Sequence, residues 1–240
     1  MALFIWTEFW KRESQSFFKI MRMSTSVFAN RFQARFNYTD CKILDFGCGP
    51  GFLVELLAKQ KCQITGLDIN ESYIRICQQH FPYHSFSVID PNLESLQKSL
   101  NEQTKIQSYD FVILLSVSQY YPSHQEFEST VITLSNYLKK GGTLIVADVI
   151  SKDTSAWKDL LAVFRQSIRS GNVFNLIGFV LHLLFSNYHK VSKQAPLLTF
   201  EDESLKNLAN SLSLSYQKFE GMTLHPTRNT YAFSVPLESR

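Results

Sequence analysis

No cysteine of this 240-residue chain has a partner at redox or metal-ligand spacing. The four, Cys41, Cys48, Cys62 and Cys77, form no CxxC pair and stand at no zinc-type interval from a histidine. A disulfide framework and a structural zinc site are therefore not expected, and reduced thiols in a cytoplasmic protein are the simplest reading. No apolar run reaches the roughly 20 residues that a bilayer span requires. The best candidate, Val173 to Phe185 inside the uncharged stretch 170–189, also contains Asn175 and His182. It reads as a buried or interfacial helix. A secretory signal is not expected either, because the apolar opening ALFIW (2–6) is short and Glu8 follows it. Charge of one sign is scarce: the net is +3 and the pI about 8.6, short of a strongly basic nucleic-acid binder. Repeats and low-complexity tracts are absent.

What is present suits one globular domain with insertions. The chain is 45% hydrophobic and 19% charged, and long enough to bury a sizeable core. Its charge is uneven. Residues 1–40 and 151–198 carry an excess of Lys and Arg, whereas 41–150 carry an excess of Asp and Glu. Between 42 and 150, strand and helix signals alternate. Strands are predicted at 42–47, 63–69, 84–90, 108–117 and 142–150. The first, fourth and fifth are nearly continuous apolar runs, as in a parallel sheet buried on both faces. Helices are predicted at 50–61, after an Asn70 cap through Gln79, and at 123–139, with Gly141 and Gly142 ending the last. After 150 come helices to 198, a helix from Glu203 to Ser211, and strands at 214–222 and 229–235 that can pair as a terminal antiparallel hairpin. The expected fold is α/β: a doubly wound, Rossmann-like, seven-stranded sheet with that hairpin. A helical cap is expected from the N-terminal arm (1–40) and the insertion (151–198), leaving 41–150 and 199–240 as the binding domain.

Residues 42–52, KILDFGCGPGF, join a strand to a helix through Gly47, Gly49 and Gly51. This is GxGxG, not the GxGxxG of dinucleotide sites. Phe52 occupies the place of the third glycine, which would let helix and strand pack closely. No Gly-Lys-Ser/Thr follows, which removes a P-loop. Asp45, two residues before the first glycine, would repel a pyrophosphate and attract an ammonium. Asp68 ends the second strand about 20 residues on, where an acid can accept both hydroxyls of a ribose. Asp90 ends the third, within reach of an adenine amine, although Asp-Pro-Asn (90–92) is also an ordinary turn. Asp45 as a solvated strand end and Asp68 as a helix cap are the structural alternatives. An ammonium, a ribose and an adenine without phosphate describe S-adenosylmethionine.

On these residues the chain resembles the class I S-adenosylmethionine-dependent methyltransferases. The resemblance is carried by ILDFGCGPG (43–51), GLDI (66–69), SFSVID (85–90), YDFVILLSV (109–117) and LKKGGTLIVADV (138–149). It implies that the glycine loop packs on the methionine part of the cofactor, with Cys48 a small packing residue lending at most its amide. It also implies that Asp68, beside Ile69, binds the ribose, that Asp90 binds the adenine amine, and that Leu115 and Ser116 line the site. The Asn/Asp-Pro-Pro-aromatic signature of nitrogen-directed subfamilies is replaced by SVSQYYPS (116–123). Ser116 to Tyr121 contain none of the acids of metal-dependent catechol-type enzymes, so no metal is expected.

Methyl transfer needs alignment and a dry site more than a strong catalytic group. Candidate acid–base groups are His124, next to the expected methyl position, and Asp148, at the end of the fifth strand. Tyr120, Tyr121, His182 and His189 are further acceptor-side candidates. The arm contributes Phe28, Phe32 and Phe36 at helical spacing, with Arg31 and Arg35 beside them. Arm and insertion together read as the walls of a greasy acceptor pocket, with room for an anionic group or peripheral docking on an anionic membrane. The expected reaction is methylation of a small apolar or aromatic acceptor at oxygen. A macromolecular acceptor (RNA or protein) and a non-catalytic binding module are the alternatives, and the oligomeric state is open.

Overall fold

A computed structural model of the chain describes residues 6, 15–90, 96–98, 100–101, 106–169, 191 and 193–237. His182, His189 and the apolar stretch 173–185 lie outside the described residues. Helix α1 (Gln15–Arg35) leads into β1 (Lys42–Phe46), α2 (Phe52–Leu57), β2 (Gln63–Asp68), α3 (Glu71–His80), β3 (Ser85–Val88) and β4 (Tyr109–Leu115). Then follow α4 (His124–Ser135), β5 (Leu138–Val149), α5 (Ala156–Arg169), α6 (Asp202–Ser211), β6 (Ser215–Phe219) and β7 (Asn229–Ser234). The seven strands form one sheet in the order β3-β2-β1-β4-β5-β7-β6, parallel except for β7, which runs antiparallel to both its neighbours. The expected doubly wound sheet and terminal hairpin are both present. The hairpin slots β7, not β6, against β5.

Period-two alternation along the central strands divides the core in two. Leu44, Val112, Leu114, Leu144 and Val146 face one side, with Phe127, Val131 and Leu134 of α4 and Leu205 and Leu208 of α6. Ile43, Ile113, Ile145 and Ala147 face the other, with Leu53, Val54 and Leu57 of α2, Ile74 and Cys77 of α3, and Phe28 and Phe32 of α1. The aromatic stripe of the arm is thus core: Phe32 packs edge-on against Phe111 of β4 at 5.3 Å between centroids. Such a buried ring contributes several kcal/mol on the scale of about 3–5 for Phe→Ala. All four cysteines are buried and free.

Local chemistry sets the element ends. Asn70 caps α3 by accepting from the Ser72 amide at 3.0 Å, as its position foretold. Ser123 caps α4 by accepting from Glu126 N at 3.2 Å. The expected continuation of α4 to residue 139 is corrected: the helix stops at Ser135, and Leu138 already pairs with Tyr109 as the first residue of β5. Gly141 and Gly142 do not end a helix. They sit where the β4–β5 register shifts between Tyr109 and Phe111, a bulge with Gly141 at φ +75°. The predicted helix 50–61 is likewise shorter, and its buried face is Leu53, Val54 and Leu57, with Leu56 only half-buried.

Candidate active site

The chain runs β1-β2-β3 in one direction from the sheet centre, then crosses back to place β4 on the other side of β1. The crevice at that reversal, outside the carboxyl ends of the strands, is where open α/β sheets bind ligands. Here it is a cavity of about 470 Å³ whose wall includes the glycine loop, Asp45, Asp68, Ser116 and Asp148. Two glycines shape it. Gly47 has φ +78°, and a Cβ on it would lie 2.5 Å from Val117 Cγ2 just beyond β4, so only glycine lets the two strand ends come this close. Gly49 has φ +53°, and a Cβ there would meet nothing within 4 Å. It is a wall residue whose missing side chain leaves the backbone open to a ligand. Gly51 is placed differently from expectation. It is not on the cavity wall, and a Cβ there would strike Phe81 at 2.7 Å and Cys77 at 3.0 Å. Its role is to let α2 pack beside α3.

Asp45 is 2% exposed, and its Oδ2 has no hydrogen-bond partner among the described residues. Burial, then the neighbouring Asp68, pushes its pKa up to about 7. Asp68 is better satisfied. Oδ2 accepts from the Gly49 amide and Oδ1 from the Asn70 amide, each at 2.8 Å. Its pKa is still raised, because burial outweighs these amides. Asp68 therefore ties the glycine loop to the start of α3, and the helix-cap alternative is part of its work. Ile69 and Asp90 also lie on the wall, Asp90 exposed at the rim. Cys48 packs in the core beside Gly66, and its thiol is pushed well above the usual range by the hydrogen bond with Cys77 and by burial.

These features fit S-adenosylmethionine: an orphaned buried carboxylate for an ammonium, a half-satisfied one for ribose hydroxyls, and a cradle that a side chain at residue 49 would fill. A second orphaned acceptor, Oε1 of buried Gln119, is also on the wall.

The acceptor-side expectations fare unevenly. His124 lies off the cavity: it opens α4, is exposed, and turns its ring edge-on to Phe200 at 5.1 Å. Asp148 is on the wall but bound on several sides. Oδ2 accepts from Ser116 Oγ and Arg228 Nη1, each at 2.8 Å, and Oδ1 faces His225 Nδ1 at 2.9 Å. Burial alone would raise its pKa. Arg228, His225 and Ser116 instead hold it well below the usual carboxylate range. A carboxylate so stabilised is a poor proton acceptor, and Asp148 is corrected from candidate base to anchor. Ser116 and Asp148 both have left-handed backbones, at φ +58° and +64°, a strain typical of functional strand ends. Arg228 extends the network by donating from Nε to Asp159 of α5 at 3.2 Å.

His225, Arg228, Asp159 and Gln119 were missed by the sequence reading. The one local signal, the turn-like His-Pro-Thr-Arg (225–228), gives no hint of its partners. The arm divides: Trp6, Ile20, Met21, Ser24 and Thr25 reach the cavity, while Phe28 and Phe32 do not. From the insertion, Leu160 and Val163 reach it, and Trp6 anchors there by donating from Nε1 to the Ala195 carbonyl at 3.1 Å.

Residues 38–207 match the family described as "Methyltransferase domain". The chain is 24% identical over 195 residues to a protein named Ubiquinone biosynthesis O-methyltransferase from Azoarcus sp., covering 80% of this chain and 72% of that one. A protein of the same name from Salmonella arizonae is 25% identical over 195 residues, covering 79% and 68%. Among solved structures, the chain is similar to a SAM-dependent methyltransferase from Archaeoglobus fulgidus, with a TM-score of 0.58, 14% identity and 88% and 94% of the two chains covered. It is also similar to magnesium protoporphyrin IX methyltransferase from Synechocystis PCC 6803 with bound SAM, with a TM-score of 0.55, 16% identity and 89% and 79% covered.

Proposed function

We infer the reaction from one premise: the chain belongs to the methyltransferase-domain family and is an S-adenosylmethionine-dependent methyltransferase. We propose that it methylates a hydroxyl oxygen of a small, lipophilic, aromatic acceptor. One observation carries this reading. The cavity that begins at the glycine loop and Asp68 continues without a break to an apolar wall of Trp6, Ile20, Leu160, Val163 and Leu224, with Tyr120 beside Trp6. A mostly apolar pocket with a few polar groups selects a small, greasy molecule. The names of the relatives, O-methyltransferases of ubiquinone biosynthesis, support oxygen as the methylated atom.

In this reading Asp45 receives the ammonium of the cofactor, Asp68 the ribose hydroxyls, Asp90 the adenine amine, and the 47–49 backbone the methionine part. When bound, S-adenosylmethionine supplies a methyl group on a cationic sulfur. The arm and insertion exclude water from it and orient the acceptor. The division of the chain into a binding domain (41–150, 199–240) and a cap (1–40, 151–198) rests on these wall contacts. Peripheral contact with an anionic membrane draws support from α5, which exposes Trp157, Phe164 and Ile168 along one face beside Lys158, Arg165 and Arg169. No described helix is long and apolar enough to cross a membrane.

The test is methyl transfer from isotopically labelled S-adenosylmethionine to matched phenols, amines and thiols bearing one alkyl-substituted ring. Label in a methyl ether is the expected product. Label only in amine or thiol products, or only in added RNA or protein, overturns the assignment.

A further inference from the structure

We propose that His225, oriented by Asp148, is the general base that takes the proton from the acceptor hydroxyl. The proposal rests on the hydroxyl-acceptor reading above.

His225 lies in the β6–β7 connection. A carboxylate offers only acceptors, so the 2.9 Å contact places the imidazole proton on Nδ1, donated to Asp148 Oδ1. This leaves Nε2 bare, and it has no hydrogen-bond partner among the described residues. The side chain is 19% exposed and stands on the wall of the same cavity as the glycine loop and Asp68. A buried acid holding one ring nitrogen of a cavity-wall histidine, with the other nitrogen left unbonded, is the arrangement that orients a histidine base and stabilises its imidazolium.

The surrounding charges favour that role. The end of β4 offers only the neutral Ser116, β5 offers Asp148, α5 offers Asp159, and the 225–228 turn offers Arg228. Tyr120, from the turn after β4, feels the field of Arg228. Within the directly bonded network two carboxylates share one guanidinium, which leaves one negative charge beside the ring. The backbone that carries the ring is also tied down: Arg31 of α1 donates to the carbonyls of Gly221 and Thr223, and Thr223 Oγ1 donates to the His225 carbonyl at 3.2 Å.

The step balances. The acceptor O–H bond breaks with its proton going to Nε2, and an oxygen lone pair forms the bond to the methyl carbon. The electron pair of the broken C–S bond stays on sulfur, and His225 later returns the proton to water.

The experiment uses 4-methylcatechol, whose hydroxyls are protonated at neutral pH, and 4-nitrocatechol, which is already largely ionised there. His225→Gln should lose about 100-fold or more in kcat on 4-methylcatechol, within the range of general-base contributions. It should lose little on 4-nitrocatechol, with its affinity for S-adenosylhomocysteine unchanged. Equal losses on both catechols would make His225 a shaper of the pocket and overturn its role as base, as would no loss on either. If the wild type forms methyl ethers of neither catechol, the hydroxyl-acceptor reading falls, and the base with it. A readout on the intact, cofactor-free wild type is independent of turnover. Nitrogen-15 NMR should find the neutral ring protonated on Nδ1, with Nε2 shifting when 4-methylcatechol is added. A proton on Nε2, or an unmoved Nε2, overturns the proposal whatever the kinetics.

Discussion

Asp45 and Asp68 lie at the carboxyl ends of adjacent parallel strands on one cavity wall, and the protein satisfies Asp68 far better than Asp45. Asp68 accepts two backbone amides at 2.8 Å, whereas Oδ2 of Asp45 accepts from no described residue. The unsatisfied acid is the one positioned for a cation, and two consequences follow from the pair.

The first is a pH dependence. The folded-state pKa of Asp45 is raised from 3.8 to about 7 by burial and then by Asp68. The folded, ligand-free protein therefore binds more protons than the unfolded chain between about pH 4 and 7, and this group's contribution to stability is lost as pH rises through that window. The shift corresponds to at most about 4 kcal/mol at 1.36 kcal/mol per pKa unit. A bound ammonium reverses the preference, so S-adenosylmethionine affinity should rise with pH toward neutrality, with proton release on binding. Urea melts between pH 5 and 8 and calorimetry in buffers of different ionisation heat measure both effects. Asp45→Asn should flatten the stability profile and remove the proton release.

The second concerns Asp68. Asp68→Ala should weaken S-adenosylhomocysteine binding by about 1–3 kcal/mol, the cost of unsatisfied polar groups. It should also lower thermal stability, because the Gly49 and Asn70 amides lose their acceptor. An affinity within twofold of wild type would remove Asp68 from the ribose site.

The glycines separate fold from binding. Gly47→Ala places a methyl 2.5 Å from Val117 at a positive φ and should destabilise the protein by more than the about 1–3 kcal/mol of backbone strain alone. Gly49→Ala meets open space. It should fold with a loss of about 1–2 kcal/mol from the left-handed backbone alone while losing most of its cofactor affinity. Denaturant melts and calorimetry on the two variants give the contrast. Equal cofactor affinity in Gly49→Ala and wild type would mean that the loop does not cradle the ligand.

Arg228 holds two buried acids apart in charge. Arg228→Met should cost about 3–5 kcal/mol, the range for breaking a buried pair from one side. With its guanidinium partner gone, Asp148 should titrate higher than in the wild type, so the stability deficit of the variant should shrink as pH falls through the acid range. A deficit that is independent of pH would mean that the guanidinium acts there through packing alone.

The chemistry that lies close together along the chain was legible in the sequence. The glycine loop, Asp45, Asp68 and the Asn70 cap fall within 26 residues, and a strand, a turn and a helix start bring them together by local geometry. The apolar runs of β1, β4 and β5 were legible for the same reason, since burial on both faces leaves a continuous pattern. Gly141-Gly142 misled because one dipeptide serves a helix end and a strand bulge equally well, and only pairing with β4 chose between them. His124 was favoured for its closeness in sequence to the β4 end, yet α4 carries it away from the cavity. Asp148, His225 and Arg228 are 77 and 80 residues apart. What joins them is the insertion of β7 between β5 and β6, which returns the 225–228 turn to the carboxyl end of β5. No periodicity records that pairing, because strand order is set by which faces and edges the whole sheet can bury, not by any segment alone.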